Sequence, residues 1–137
     1  MKVSNFQFTN PCLSYMNFRE NKNFSIEEGK GIEIPTNINV CNKKLSHSEA
    51  VVSILIHLGN EDNNSPFSLD AEFVAKFHWE ADLSNEAIEA LLKQNAPALL
   101  LSYARPIISM TTNASRFPAY NIPFINFMDT DEEKNDE

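Results

Sequence analysis

The chain has 137 residues and a formal net charge of −8 at pH 7. A chain of this length buries a hydrophobic core without disulfides or a metal ion, so we expect one ordinary domain over residues 1–128. The last nine residues carry six acids and one lysine, which accounts for −5 of the charge, and we expect this tail (129–137) to be disordered. The acidic balance argues against nucleic acid as a partner, because phosphate binding needs clustered basic residues.

The two cysteines, Cys12 and Cys41, stand far apart in the sequence and form no CxxC pair. No signal peptide opens the chain, and no apolar run approaches the roughly 18 residues that a membrane span requires. These observations predict a soluble, cytoplasmic protein whose thiols stay reduced.

Apolar residues in the first 80 positions recur with a period of two, which predicts β-strands with one buried face. The pattern predicts a short strand at Phe6–Phe8, a strand within 32–40 in which Pro35 indicates an edge or a bulge, and a buried central strand within 49–58. The clearest alternation runs over residues 67–79, where every odd position is apolar. The polar turn before it predicts an antiparallel hairpin with the preceding strand.

From residue 84 the apolar residues recur every three or four positions, which predicts helices. Ser84 can cap the first helix, and Pro97 interrupts that helix and suits the first turn of a second one. The second helix contains Pro106, where we expect a kink. Strands followed by helices, without βαβ alternation, predict an α+β domain with an antiparallel sheet.

The sequence does not favour catalysis. His47, His57 and His78 have no metal-ligand spacing, no serine lies in a GxSxG motif, and neither cysteine lies in a nucleophile motif. Asp70 and Glu72 share one strand face, where exposed acids are commonplace. We therefore predict that the protein is not an enzyme and carries no cofactor and no metal.

Aromatic residues stand in two polar, extended stretches, 15–26 and 117–127. The second belongs to the sequence RFPAYNIPFINF (116–127), whose two prolines exclude an ordinary helix or a central strand. A plug that completes the core and a wall that contacts a ligand both explain such a stretch, and both interpretations stay open at this point.

The motifs YARPIISM (103–110) and SRFPAYNIPFINF (115–127) resemble the signature of the SecB family of cytosolic protein-export chaperones. The order of NFQFTNP (5–11), DAEF (70–73) and NAPALLLSYAR (95–105) agrees with that family. The resemblance implies a four-stranded antiparallel sheet with helices packed on one face, and assembly into a homo-oligomer, a dimer or a tetramer. It also implies long aromatic grooves that hold unfolded preproteins before they pass to the motor SecA.

With this resemblance, three sets of residues become candidates for function. The client-binding candidates are Tyr15, Phe18, Phe24, Ile26, Phe117, Tyr120, Ile122, Phe124 and Phe127. The candidates for docking to the translocase motor are Asp70 and Glu72. The oligomer interface is expected at the edge strand with Phe6 and Phe8, and on the polar side of the second helix at Ser102, Arg105, Ser109 and Thr112.

Three features depart from the family pattern. Phe127 leads directly into the acidic tail rather than into a further amphipathic helix, Asn5 and Thr9 stand where first-strand acids are usual, and Pro106 replaces an acid. Two functions are therefore weighed. One is an ATP-independent holdase chaperone for unfolded polypeptides in protein export; the other is a SecB-like adaptor or a chaperone dedicated to one partner, such as an antitoxin.

Overall fold

The structure, a computed structural model, describes residues 1–25, 29, 31–60 and 64–129. Four antiparallel strands precede the helices, which confirms the expected α+β architecture. In spatial order the strands run β1-β4-β3-β2. Their bounds are β1 (Phe6–Glu20), β2 (Thr36–Ser46), β3 (Glu49–Gly59) and β4 (Phe67–Trp79).

Strand β4 lies in the interior of the sheet and pairs with β1 on one side and with β3 on the other. All seven of its odd-numbered residues are buried, while its even-numbered residues are exposed or partly exposed, as the alternation predicts. The predicted antiparallel hairpin of β3 and β4 is also confirmed. Gly59 at its turn has a φ of 73°, and a Cβ there would lie 1.9 Å from the Phe67 carbonyl oxygen, so only glycine fits.

Strand β1 is much longer than the predicted Phe6–Phe8 strand, and residues 15–20 belong to it rather than to a loop. Two β-bulges explain the error. Asn10 and Pro11 together face a single residue of β4, and Ser14 is a second extra residue. Asn10 takes a left-handed conformation with φ 52°, which asparagine tolerates, so the strand continues past the proline.

Strand β2 begins at Thr36, directly after Pro35, and forms the other edge of the sheet. The strand predicted within 32–40 therefore starts four residues later than its apolar pattern indicates. The Gly59 amide still donates a hydrogen bond of 2.8 Å to the Pro35 carbonyl, so Pro35 continues the ladder as an acceptor without needing a donor of its own.

The helical part consists of α1 (Asn85–Ala90), a π-helical turn (Leu91–Asn95) and α2 (Ala96–Asn113). Ser84 caps α1 as predicted, since its hydroxyl accepts a hydrogen bond from the Ala87 amide at 3.2 Å. Pro97 lies in the first turn of α2 as predicted, but the interruption before it is a π-turn rather than a break. The helix continues through Pro106, and the kink expected there stays a prediction.

The core lies between the dry face of the sheet and these helices. It is completed by residues 114–129, which we call the C-terminal segment and which end in a 3-10 turn at Phe127–Asp129. The disorder expected for the acidic tail (129–137) does not hold for Asp129, which is the last residue of this 3-10 turn, and residues 130–137 lie outside the described part of the chain. None of the helices within that part combines the length and apolar character that a membrane crossing needs.

Phe73 and Leu13 face each other across β1 and β4, but Phe73 is 1% exposed and Leu13 is 39% exposed. Replacing Phe73 with Ala should reduce the free energy of unfolding by about 3–5 kcal/mol, because a buried ring leaves a cavity. Replacing Leu13 with Ala should cost less than about 1 kcal/mol. Chemical denaturation of both variants measures the difference, and similar losses would contradict the buried face assigned to β4.

Candidate functional site

An apolar cavity of about 150 Å³ opens where the chain entering β2 approaches the C-terminal segment. We call it the aromatic cavity. Its walls are built mostly from chain without regular secondary structure, and the ring of Phe67 comes from the start of β4. The lining residues are Ile32, Ile34, Pro66, Phe67, Phe117, Pro118, Ala119 and Tyr120.

Tyr120 is held in this wall at both its backbone and its side chain. Its amide donates a hydrogen bond of 2.8 Å to the Thr112 hydroxyl on α2. Its own hydroxyl lies 2.7 Å from the Thr36 hydroxyl at the start of β2. Because the Thr36 hydroxyl proton is directed to the Ile34 carbonyl at 3.1 Å, we assign the donor role to Tyr120. The ring also contacts Phe67 edge-on, with centroids 6.5 Å apart.

Arg105 fixes the next part of the C-terminal segment to α2. Its Nε donates to the Ile122 carbonyl at 3.3 Å, and its Nη2 donates to the Pro123 carbonyl at 2.9 Å. A guanidinium suits this task, since its donors form a rigid fork that can hold two adjacent acceptors. The motif at 103–110 and the motif at 115–127 are therefore in direct contact, with Arg105 as the connection.

The rim of the aromatic cavity is closed on one side by contacts between the end of β1 and the start of the C-terminal segment. Arg116 forms an ion pair with Glu20, and its guanidinium lies 5.4 Å from the centroid of the Phe117 ring. Phe24 packs edge-on against the same ring at 5.6 Å. The connection from β1 to β2 thus contacts the cavity-lining Phe117 through Phe24, and it lines the cavity itself with Ile32 and Ile34.

The client-binding candidates of the C-terminal segment divide between core and surface. Ile122 and Phe127 are buried in the hydrophobic core, and Phe117 is nearly buried. Tyr120 is partly buried, whereas Phe124 is 92% exposed. The stretch RFPAYNIPFINF is therefore largely a core plug that also presents Phe117 and Tyr120 to the aromatic cavity and Phe124 to solvent.

The candidates from the N-terminal half do not all come together. Phe18 lies on the dry face of β1 and packs against Phe67 at 5.5 Å, close to the cavity wall. Tyr15 pairs with Glu72 and lies on the opposite, outer face of the sheet, where it is 47% exposed. The structure thus separates Tyr15 from the other aromatic candidates, and Ile26 lies outside the described residues.

Both predicted docking acids lie on the outer face of the sheet, as their even positions in β4 require. The Asp70 carboxylate contacts the His57 imidazole at 2.5 Å, and the Glu72 carboxylate accepts a hydrogen bond from the Ser14 hydroxyl at 2.7 Å. These acids are therefore accessible, but each already has a partner within the chain.

The interface candidates have unequal surroundings. Ser102 is exposed and Ser109 is partly exposed, so both remain on the surface of α2. Thr112, by contrast, is 0% exposed and holds Tyr120, which contradicts its placement on an outer polar face. Phe6 and Phe8 lie on the dry face of the edge strand β1, where Phe6 stacks on Phe77 at 5.3 Å.

The cavity walls include residues that the sequence analysis did not assign to a site. Ile32 and Ile34 belong to the strand predicted within 32–40, and Pro118 and Ala119 belong to RFPAYNIPFINF but are not among its client-binding candidates. The available signal was the pair of prolines, Pro35 and Pro118, because each stops regular pairing next to an apolar residue. Among the described residues no cluster of three or more His, Cys, Asp or Glu could hold a metal ion.

Comparison with known proteins concerns the family and the fold of the chain. The family model described as preprotein translocase subunit SecB matches residues 12–136. A SecB-like chaperone of Mycobacterium tuberculosis, solved in complex with a ChAD peptide from the HigA1 antitoxin, is similar with a TM-score of 0.71 and 18% identity over 88% of this chain and 91% of that chain. A protein of unknown function from Streptococcus agalactiae is similar with a TM-score of 0.55 and 13% identity, covering 90% and 100% of the two chains. The search of curated proteins returned no match.

Thr112 and its neighbour Thr111 provide a matched test of how the cavity wall is held. Both hydroxyls donate to the carbonyl four residues earlier, but only Thr112 also accepts from the Tyr120 amide. Thr112→Val should therefore cost about 1–3 kcal/mol more than Thr111→Val, because it leaves the Tyr120 amide without an acceptor. Chemical denaturation measures the free energy of unfolding of both variants. Equal losses would show that the hydrogen bond from the Tyr120 amide to Thr112 does not hold the C-terminal segment.

Proposed function

The chain belongs to the SecB family, whose model matches residues 12–136, and we propose that it is an ATP-independent holdase that binds unfolded polypeptides at the aromatic cavity. Members of this family are chaperones rather than enzymes, in agreement with the prediction from the sequence. The observation that supports a client site most directly is the apolar cavity between Ile34 and Tyr120, which none of the described residues fills.

The size of the cavity indicates what it holds. An engineered apolar cavity of about 150 Å³ in another protein binds benzene, so the aromatic cavity, at about 150 Å³, fits one aromatic or branched aliphatic side chain. Full burial of such a side chain contributes about 1.5–3 kcal/mol. A single contact of this strength is weaker than millimolar binding, which needs about 4 kcal/mol, so it suits a holdase that releases its client readily.

The binding mode selects unfolded over folded proteins. Ile32, Phe117 and Pro118 offer apolar surface without a defined set of hydrogen-bonding partners, so a client gains affinity from any suitable apolar side chain. A folded protein buries such side chains and gains nothing. Phe124, which projects from the same segment, adds a further apolar contact outside the cavity.

A dedicated chaperone is the second candidate function. It is favoured by the likeness to the Mycobacterium tuberculosis protein, which was solved with an antitoxin peptide. A dedicated chaperone would bind one extended peptide and would not protect unrelated unfolded proteins. If the protein suppresses the aggregation of several unrelated unfolded proteins at a nearly equal molar ratio, the holdase is supported. If it protects none of them, the dedicated chaperone is supported.

We extend the proposed holdase function to a role in protein export. It places the protein in the cytoplasm and assigns Asp70 and Glu72 to docking on SecA. Their exposure on the outer face is compatible with docking, but His57 and Ser14 already contact these carboxylates. Docking would therefore require SecA to displace or include these two partners.

Filling the cavity tests the proposed function. Ala119→Leu, in the cavity wall, should weaken binding of an unfolded client more than about tenfold, because the added side chain replaces the client's and removes its 1.5–3 kcal/mol of burial. Ala114→Leu adds the same group at an exposed position after α2 and should not change binding. The measurements are titration with a fluorescently labelled unfolded protein and thermal melts of both variants. Unchanged client binding by a stable Ala119→Leu variant would disprove the assignment.

We also propose a homo-oligomer, with β1 pairing across a two-fold axis. This strand lies at the edge of the sheet, and pairing would satisfy its outward backbone groups. Sedimentation at micromolar concentration should therefore show a species larger than the 15.5 kDa chain. A single species of monomer mass would contradict this proposal.

A further inference from the structure

We propose that the outer face of the sheet is an interface on which a second copy of the chain packs face to face. The outer face is the side that points away from the helices, where the even positions of β4 lie. This inference goes beyond the proposed holdase function and does not depend on it. The occupant is the same chain, because the charged and apolar side chains of the face complement one another after a half-turn about one row of residues.

The ladder registers place the outward side chains of the four strands in rows across the sheet. The middle row, in the order β1-β4-β3-β2, consists of Cys12, Val74, Ser53 and Cys41. The row on one side consists of Tyr15, Glu72, Leu55 and Asn39, and the row on the other side consists of Thr9, Lys76, Val51 and Lys43. A two-fold axis along the middle row turns a second copy over, so that each strand lies on its own counterpart and one neighbouring row lies on the other.

The two neighbouring rows carry opposite charges on β4. The axis brings Glu72 of each copy against Lys76 of the other, so two ion pairs form by symmetry. In the next rows it brings Glu49 against His57, since both belong to β3. Lys76 already pairs with Glu49 at 2.9 Å within the chain. The new contacts therefore join these pairs into a network, the arrangement in which surface charges contribute most.

Apolar side chains occupy equivalent positions on the two central strands. Leu55 and Val51, both on β3, come together across the axis, and Val74 lies on the axis and meets its own counterpart. All three are only partly buried in the single chain. Contact between two copies buries the rest of their surface, and this apolar burial adds to the stabilisation by the ion pairs.

The size of the face predicts a weak and reversible contact. Four strands spaced by about 4.8 Å, each followed for the length of residues 70–78 at about 3.3 Å per residue, cover roughly 600 Å² per copy. The total of about 1,200 Å² lies at the lower limit of specific interfaces. We therefore expect a dissociation constant of about 10 μM or weaker.

Face-to-face pairing covers both docking candidates, Asp70 and Glu72, because they lie on the outer face. The aromatic cavity lies on the other side of the sheet, where Phe67 and Tyr120 form part of its wall, so it stays open. A paired protein can thus hold a client while its docking acids are covered, and a partner that binds these acids separates the two copies.

An exchange of two charges tests the arrangement of the rows. Glu72→Lys and Lys76→Glu each place like charges against each other at two symmetric contacts and should weaken self-association about tenfold or more. The double variant restores opposite charges and should associate as the wild type does. Glu89→Lys, at an exposed position of α1, makes the same change in net charge as Glu72→Lys and should have no effect. Sedimentation equilibrium over concentrations about tenfold below and above the expected dissociation constant measures the association, and thermal melts check that each variant folds.

Cross-linking separates this contact from an association through β1. Cys12→Ser leaves Cys41 as the single thiol of the chain. The axis along the middle row brings the two copies of Cys41 within about 10 Å, the spacing of packed sheets, which a bismaleimide of that length spans. In a dimer paired through β1 these thiols lie at the two far edges of the combined sheet and cannot be joined. A covalent dimer should therefore form in Cys12→Ser and be largely lost when Glu72→Lys is added.

Three results would overturn the proposal: no association in this concentration range, equal association by Glu72→Lys and Glu89→Lys, or a double charge variant that stays as weak as the single variants. Failure to cross-link Cys41 in a protein that does associate would assign the association to β1 and disprove the outer-face contact. The holdase is tested separately by client binding. Glu72→Lys should bind unfolded client as the wild type does, because the aromatic cavity lies on the other side of the sheet.

Discussion

The alternation of side chains along β4 determines the two faces of the sheet, and the remaining elements depend on it. Because β4 pairs on both sides, its buried odd positions set which residues of β1 and β3 point to the helices. Phe67 at the start of β4 lines the aromatic cavity, and Phe77 near its end supports Phe6. A shift of one residue in β4 would exchange the faces and remove both contacts.

The C-terminal segment keeps its shape by a different means. It has prolines at 118 and 123 and no strand or helix until Phe127, so its backbone groups need partners elsewhere. Thr112 and Arg105 supply some of these partners from α2, while Ile122 and Phe127 anchor the segment in the core. Chain held in this way needs no ladder of its own and still presents Phe117 and Tyr120 to the cavity and Phe124 to solvent.

The sequence predicted the features that have a local or periodic signal. These are the alternation in β4, the interior position of β3 and the Ser84 cap, together with the family, which the motifs indicated. It failed where the outcome depends on contacts between distant residues. Bulges let β1 continue past Pro11, and no local pattern shows that a partner strand will accommodate them. Arg105 and Thr112 were assigned to a polar helix surface. Their partners are the backbone groups of Tyr120, Ile122 and Pro123, and these lie in a segment whose sequence has no periodic pattern that would predict its position. The cavity depends on such contacts too, so only part of its lining was predicted.

The two bulges of β1 make the edges of this sheet unlike each other. They divide β1 into runs of four, two and six residues, Phe6–Thr9, Cys12–Leu13 and Tyr15–Glu20, whereas β2 is regular until Lys44. A strand of arbitrary sequence and regular geometry loses register on β1 after a few residues. A copy with the same irregularities in complementary positions does not. The two edges of this sheet therefore differ in backbone shape: β1 fits a strand with matching irregularities, whereas β2, until Lys44, fits a strand of regular geometry.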